Sequence, residues 1–76
     1  MNKQRRKRLE EASALLEQAK EILEEVKDEE EEAYENLPEG LQNSERGEAM
    51  REAIDNLDEA YGSMEDVIDS IEQAGA

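Results

Sequence analysis

Carboxylates are the only side chains in this 76-residue chain that are numerous enough to do chemistry. The sequence holds 23 acidic and nine basic residues, giving a net charge of −14, and it has no histidine and no cysteine. Without these two residue types it lacks the usual proton shuttle, thiol nucleophile and transition-metal ligands. Paired carboxylates can still act as acid and base, but only in a concave site that buries them. We therefore predict that the protein is not an enzyme.

The densest group of carboxylates is the run DEEEE at residues 28–32. This run could attract a divalent cation weakly, but it lacks the alternating spacing of an EF-hand loop. Gly40 and Gly47 stand alone, so the chain has no glycine-rich phosphate-binding loop. The sequence predicts no cofactor and no dedicated metal site.

Two stretches carry these acids, and in both of them apolar residues recur at steps of three and four. This heptad spacing is typical of helices that pack as coiled coils. The first ladder is Leu9, Ala12, Leu16, Ala19, Leu23, Val26, Glu30, Ala33 and Leu37, and the second is Met50, Ala53, Leu57, Ala60, Met64, Val67, Ile71 and Ala74. With Leu9 and Met50 at heptad position a, the ladders occupy positions a and d.

A break between the ladders predicts a turn, because the residue before Pro38 is disfavoured in a helix. The predicted fold is all-α: one domain over 1–76, formed by an antiparallel two-helix hairpin that resembles a coiled coil. Helix 1 is predicted over about 4–36, the loop over 37–44 and helix 2 over about 45–73, with Asn43 or Ser44 as N-cap. Pairing residues whose numbers sum to 83 sets a large side chain against a smaller one in nearly every layer.

Gly47 is unexpected in the first turn of helix 2, because glycine weakens a helix by up to about 1 kcal/mol. A close approach of helix 1, of Tyr34 or of a partner would explain it, and these alternatives stay open. Gly62 lies on the outer face of the same helix, where it leaves room for another molecule.

Large apolar side chains beside the ladders widen each apolar stripe beyond what a two-helix hairpin covers. These flanking residues are Leu15, Ile22, Ile54, Tyr61 and Ile68. A second copy would cover them in a four-helix bundle, so we predict a homodimer, with a monomer that exposes this flank as the alternative.

The charge is uneven along the chain. Five of the nine cations lie in the segment Lys3–Arg8, and residues 9–76 carry the other four cations with all 23 acids. Such an acidic body repels nucleic acid and anionic lipid, so we predict direct binding to neither. The basic segment is interpreted as compensation for acids at the end of helix 2, with Arg8 near Glu72.

Few cations are placed to pair with the acids of the helices. Lys20 and Lys27 each follow a glutamate by three residues, Glu17 and Glu24, which predicts two ion pairs within helix 1. Glu30 interrupts the first ladder, and we predict that its carboxylate reaches Arg46 or Arg51.

No stretch approaches the eighteen consecutive apolar residues of a membrane-spanning helix. The basic N-terminus is followed by LEEASALLEQ and not by an apolar segment, so a secretory signal is not predicted. The lack of cysteine fits a cytoplasmic protein, which is the predicted location.

A distinctive segment, NLPEGLQNSERGEAM at residues 36–50, precedes REAIDNLDEAYGSMEDVIDSIEQA. Together they resemble a group of small acidic helical proteins from Firmicutes genomes, prophages and mobile elements. This resemblance covers most of the chain and implies a bacterial or phage source. It carries no activity and no functional residues.

Three functions follow from these observations. The first is an acidic module that imitates DNA and blocks a basic nucleic-acid-binding host protein, in the manner of anti-restriction or anti-CRISPR inhibitors. Its predicted partner face consists of Glu17, Glu24, Asp28, Glu31, Glu32, Asp55, Asp58, Glu59, Glu65 and Asp66. The second is a helical interaction protein that binds a partner through the apolar flank. The third is a homo-oligomer whose charge only keeps it soluble.

Overall fold

The computed structural model describes residues 1–76 and consists of helices joined by short turns. Helix α1 spans Lys3–Glu35, the short α2 spans Glu39–Gln42 and α3 spans Glu45–Ala74. The two long helices pack against each other as a rod of 58 × 14 × 12 Å. The prediction of an all-helical chain with two long packed helices is confirmed, and the predicted loop contains one extra turn of helix. Neither long helix has a segment long and apolar enough to cross a membrane.

Helix α1 begins at a side-chain cap. The Asn2 carboxamide oxygen accepts a hydrogen bond from the Arg5 backbone N–H at 2.8 Å. The first turn contains no acidic residue, so the positive end of the helix dipole meets basic side chains there, which is unfavourable. The Asn2 cap therefore supplies the stabilisation that charge does not supply at this end.

A packed turn holds the two long helices together at the other end. The Gln42 side chain donates from Nε2 to the carbonyl oxygens of Tyr34 at 3.3 Å and Leu37 at 3.2 Å, which satisfies groups that the end of α1 leaves unpaired. Ser44 is the N-cap of α3, and its hydroxyl oxygen accepts from the Gly47 backbone N–H at 3.4 Å. The turn is thus fixed by hydrogen bonds from both sides.

Gly47 is buried because the backbone of α2 lies directly against it. A Cβ at this position would lie 2.5 Å from the carbonyl carbon of Gln42 and 2.7 Å from the carbonyl oxygen of Leu41. Of the explanations left open by the sequence, close approach is correct, but the approaching element is α2 and not helix 1. Gly62, in contrast, has open space around the position of a Cβ.

Contacts between the long helices define an antiparallel register. They join Leu9 to Gly75, Lys20 to Tyr61, Lys27 to Asp58 and Tyr34 to Arg51. Each pair lies within two residues of the register in which paired numbers sum to 83. The structure therefore agrees with the predicted pairing of the two helices to within about half a turn.

The rows that face inward differ from the predicted ladders at position d. The d residues that the structure leaves exposed are Val26, Ala33, Ala60, Val67 and Ala74. Position e takes their place on α3, where Ile54 and Tyr61 are half-buried and Ile68 is the one buried apolar residue, 4% exposed. The prediction that these five d residues face the partner helix is wrong. Both helices are rolled toward position e, because the large e side chains of α3 bury more apolar area than its alanines.

Candidate interaction surfaces

One side of the hairpin presents uncovered apolar side chains. Four of the six exposed large apolar residues of the chain lie there: Leu15 is 66% exposed, Ile22 58%, Val67 47% and Val26 41%. Ala60 and Ala74, which are also exposed, continue the row along α3. We call these residues, Leu15, Ile22, Val26, Ala60, Val67 and Ala74, the apolar face.

The apolar face contains residues from both helices. Polar contacts join the two helices on the opposite side of the hairpin, which we call the closed side. Lys20 and Lys27 of α1 reach Tyr61 and Asp58 of α3 along that closed side. These residues occupy positions e and b of the heptads, whereas the apolar face occupies positions g and d. Antiparallel helices that turn their e positions toward one another leave their g and d positions on the other side. Both apolar rows therefore point the same way.

The residues between the members of the apolar face carry no charge. Ala19 lies between them on α1, and Ser63 and Ser70 lie between them on α3. The sequence reasoning missed Val26, Ala60, Val67 and Ala74 as surface residues because it assigned them to the core. The signal that could have found them is this uncharged row on a helix whose other outer positions are mostly acidic.

The predicted flank is divided by the structure. Leu15 and Ile22 are exposed and belong to the apolar face. Ile54 and Tyr61 are half-buried, and Ile68 is buried, on the side of α3 that faces α1. The expectation that Ile68 would lie half exposed in a single hairpin is wrong, since the roll of α3 carries it into the seam between the helices.

Lys20 lies on the closed side, between a glutamate and an aromatic ring. Its ammonium is 3.5 Å from a carboxylate oxygen of Glu17 and 5.2 Å from the centre of the Tyr61 ring. Desolvation lowers the pKa of Lys20, but the charges of Glu17, Tyr61 and Glu65 outweigh it, and the pKa lies above its usual value of 10.5. The predicted pair of Glu17 with Lys20 is confirmed.

Lys27 links the two long helices. Its ammonium donates a hydrogen bond to the Asp58 carboxylate at 2.9 Å and lies 3.9 Å from Glu31. The hydrogen bond to Asp58 is the main reason that the pKa of Lys27 lies above 10.5, and the charges of Asp58, Glu31 and Asp28 add to it against desolvation. The predicted pair of Lys27 with Glu24 is wrong, because Lys27 points across to α3.

A prediction for alkaline pH follows from Lys27. Its pKa is higher in the folded than in the unfolded chain, so its stabilising effect is complete below pH 10.5 and is lost as the pH rises through the folded pKa. The variant Lys27→Arg keeps its charge above pH 12. We expect the Tm of Lys27→Arg minus that of the wild type, followed by circular dichroism, to increase between pH 9 and 12. A difference that stays constant over this range would contradict the role given to Lys27.

Two other predictions about charged side chains are not met by an ion pair. Glu30 is half-buried, but no cation lies within 4.0 Å of its carboxylate, and Arg51 lies over the Tyr34 ring instead, 5.9 Å from its centre. The predicted reach of Glu30 to Arg46 or Arg51 is therefore wrong. Arg8 forms no pair with Glu72, whereas Arg6 and Glu72 line the same shallow cleft between the ends of α1 and α3.

The ten predicted residues of the acidic partner face fall into two groups. Glu17, Glu31 and Asp58 pair with Lys20 and Lys27 on the closed side. The other seven are exposed with no cation within 4.0 Å: Glu24, Asp28, Glu32, Asp55, Glu59, Glu65 and Asp66. Of these, Asp28 and Glu65 lie close enough to Lys27 and Lys20 to raise the pKa values of those lysines. No group of three or more acidic side chains is arranged to hold a metal ion.

Comparison with known proteins identified no relative of this chain. No protein-family model, no curated protein and no solved structure matches the chain. The resemblance to small acidic proteins of bacterial and phage genomes stays a prediction.

Proposed function

We propose that the protein is a non-enzymatic acidic module for protein–protein interaction, which offers a DNA-like array of carboxylates to a basic nucleic-acid-binding protein. The observation that carries this proposal is the set of seven exposed carboxylates with no cation within 4.0 Å, on the surfaces of the two long helices. The cations nearest to the middle of the rod, Lys20 and Lys27, are engaged on the closed side. The outer carboxylates are thus free to meet a partner's cations.

The charge density of the rod supports the comparison with DNA. Duplex DNA carries one phosphate charge per about 1.7 Å of axis. The rod carries 23 acids over 58 Å, or one carboxylate per about 2.5 Å. A helix advances about 1.5 Å per residue without interruption, so the carboxylates are held at fixed spacing with little loss of entropy on binding.

The biological setting is part of the proposal. A cytoplasmic inhibitor from a phage or mobile element, acting on a restriction or CRISPR nuclease or on a repressor of its host, would need these properties. The apolar face is compatible with this role, because none of its six residues is an acid, and it can serve self-association while the acids bind a target.

Competition with DNA tests the proposal. A fluorescent 20-base-pair duplex is bound to each of a panel of basic bacterial nucleases and repressors at about 50 mM salt, where phosphate-like contacts are strongest. We expect the protein to displace the duplex from at least one of them, and the apparent affinity to fall at least tenfold by 200 mM salt. Failure to displace DNA from every member of the panel would overturn DNA mimicry.

A matched pair of triple variants separates a specific face from net charge. Changing Glu24, Asp28 and Glu32 to their amides removes three unpaired acids, and changing Glu17, Glu31 and Asp58 removes three acids that already pair with lysines. Both variants have the same net charge. We expect the ability to displace DNA to fall at least tenfold more in the first variant than in the second. Equal losses would mean that the partner responds to net charge and not to a particular face.

The exposure of the apolar face favours a second candidate function. Leu15, Ile22 and Val67 are 66%, 58% and 47% exposed, and a helical interaction or structural homo-oligomer would use them while the acids serve only solubility. In that case binding would be insensitive to salt and lost in Ile22→Glu, whereas binding through the outer carboxylates would show the opposite pattern.

A further inference from the structure

We infer that a second copy of this chain covers the apolar face and lies antiparallel along the rod, so that the basic segment Lys3–Arg8 of each copy lies beside the acidic turn of the other. This inference deepens the self-association named under the proposed function, and it does not require DNA mimicry.

The surface area of the single rod points to a missing partner. The chain exposes 5854 Å², whereas a compact monomer of 8.7 kDa exposes about 4,700 Å². The excess of about 1,100 Å² exceeds the roughly 800 Å² that each partner buries in a standard interface. Only Ile68 among the apolar residues is buried, so the single hairpin has little core of its own. A second copy that covers the apolar face would supply a shared hydrophobic core.

The composition of the apolar face suits another copy of itself. It presents large residues on α1 and mainly small ones on α3, and its g and d positions carry no charge between Leu15 and Val26 or between Ala60 and Ala74. When a two-fold axis crosses the middle of the rod, Leu15 meets Val26 of the second copy and Ile22 meets its Ala19. On α3, Val67 meets Ala60 in the same way. Each of these three layers then pairs a larger with a smaller side chain, as well-packed helical interfaces require.

The distribution of charge selects the antiparallel arrangement. The turn end of the rod, residues 25–53, holds eleven acids and three cations, a net charge of −8. The end with both termini, residues 1–12 and 64–76, holds six acids and five cations, a net charge of −1. A parallel dimer would bring two ends of −8 together. An antiparallel dimer places each such end beside the cations of the other copy, which lowers the repulsion and gives the basic segment a role.

Sedimentation equilibrium tests the association. At about 100 μM we expect a mass of about 17 kDa, twice the 8.7 kDa of the chain. The variant Ile22→Glu should remain helical by circular dichroism and sediment as a monomer, because Ile22 is 58% exposed in the single hairpin. Leu41→Glu changes a residue of similar exposure, 45%, that lies off the apolar face, and should remain dimeric. A wild-type mass of 8.7 kDa would overturn the inference, and so would a dimer that survives Ile22→Glu.

Energy transfer between labels tests the orientation. The chain has no cysteine, so Gln4→Cys and Asn43→Cys each provide a single labelling site near one end of the rod. We expect strong transfer from a donor at residue 4 to an acceptor at residue 43 of the other copy, and weak transfer between two copies labelled at residue 4. The reverse result would show a parallel dimer and overturn the proposed orientation. These outcomes are independent of whether the protein displaces DNA.

Discussion

Replacing Ile68 with alanine is expected to lower the free energy of unfolding by about 2–3 kcal/mol, the largest effect of any single apolar truncation in this chain. Ile68 is the one apolar residue that the fold buries, at 4% exposure. A domain of 76 residues has a total stability of about 4–11 kcal/mol. The loss would therefore remove a large fraction of the stability. Urea unfolding followed by circular dichroism at a fixed protein concentration measures it, since association also affects stability.

Leu41→Ala is the matched control for Ile68→Ala. It removes the same number of carbon atoms from a residue of the turn that is 45% exposed, and we expect a loss of only about 1 kcal/mol. Leu41 lies off the apolar face, so this control does not disturb the proposed dimer. Equal losses in the two variants would show that Ile68 is not the centre of the packing.

Replacing Gly47 with alanine is expected to destabilise the fold by about 2 kcal/mol, although alanine is the better helix former. The new methyl group would lie 2.5 Å from the carbonyl carbon of Gln42, and this group belongs to a backbone that cannot move without displacing α2. Such overpacking costs about 1–3 kcal/mol, and the closeness of the backbone places Gly47 toward the upper end of that range. The better helix propensity of alanine offsets up to about 1 kcal/mol of this cost. The hydrogen bonds from Gln42 to the end of α1 would weaken as α2 shifts.

Gly62→Ala tests the same chemical change where no atom opposes it. Nothing lies within 4 Å of a Cβ at this position in the interior of α3. We expect a gain of about 0.5–1 kcal/mol from the higher helix propensity of alanine. The two glycine variants should thus shift the urea midpoint in opposite directions. A stabilising effect of Gly47→Ala would contradict the packing of α2 against α3.

The two sides of the hairpin have different possible roles. On the closed side, Lys20 and Lys27 neutralise part of the acidic surface and join the helices. On the opposite side, the apolar face is available to a second copy. The remaining acids project outward from both helices. A dimer formed through the apolar face would therefore display carboxylates on its outer surfaces, which is the arrangement that the proposed function requires.

The sequence by itself determined the helical class, the antiparallel hairpin register and the place of the turn. These follow from local properties: the heptad period, the conformational restriction before Pro38 and the capping chemistry of Ser44. It also predicted the pair of Glu17 with Lys20, whose spacing within one helix fixes the contact.

Only the tertiary structure decided which side of each helix faces inward, because the steps of three and four in the pattern fit an a/d seam and an a/e seam almost equally well. The choice depends on the volumes of all facing side chains together, and Ile54, Tyr61 and Ile68 outweighed the alanines at position d. Because the helices are rotated toward position e, Val67 faces solvent and Lys27 contacts Asp58 instead of Glu24. The same rotation exposes the residues of the apolar face. The fit of α2 against Gly47 was equally invisible in the sequence, since it depends on how the turn folds back in three dimensions.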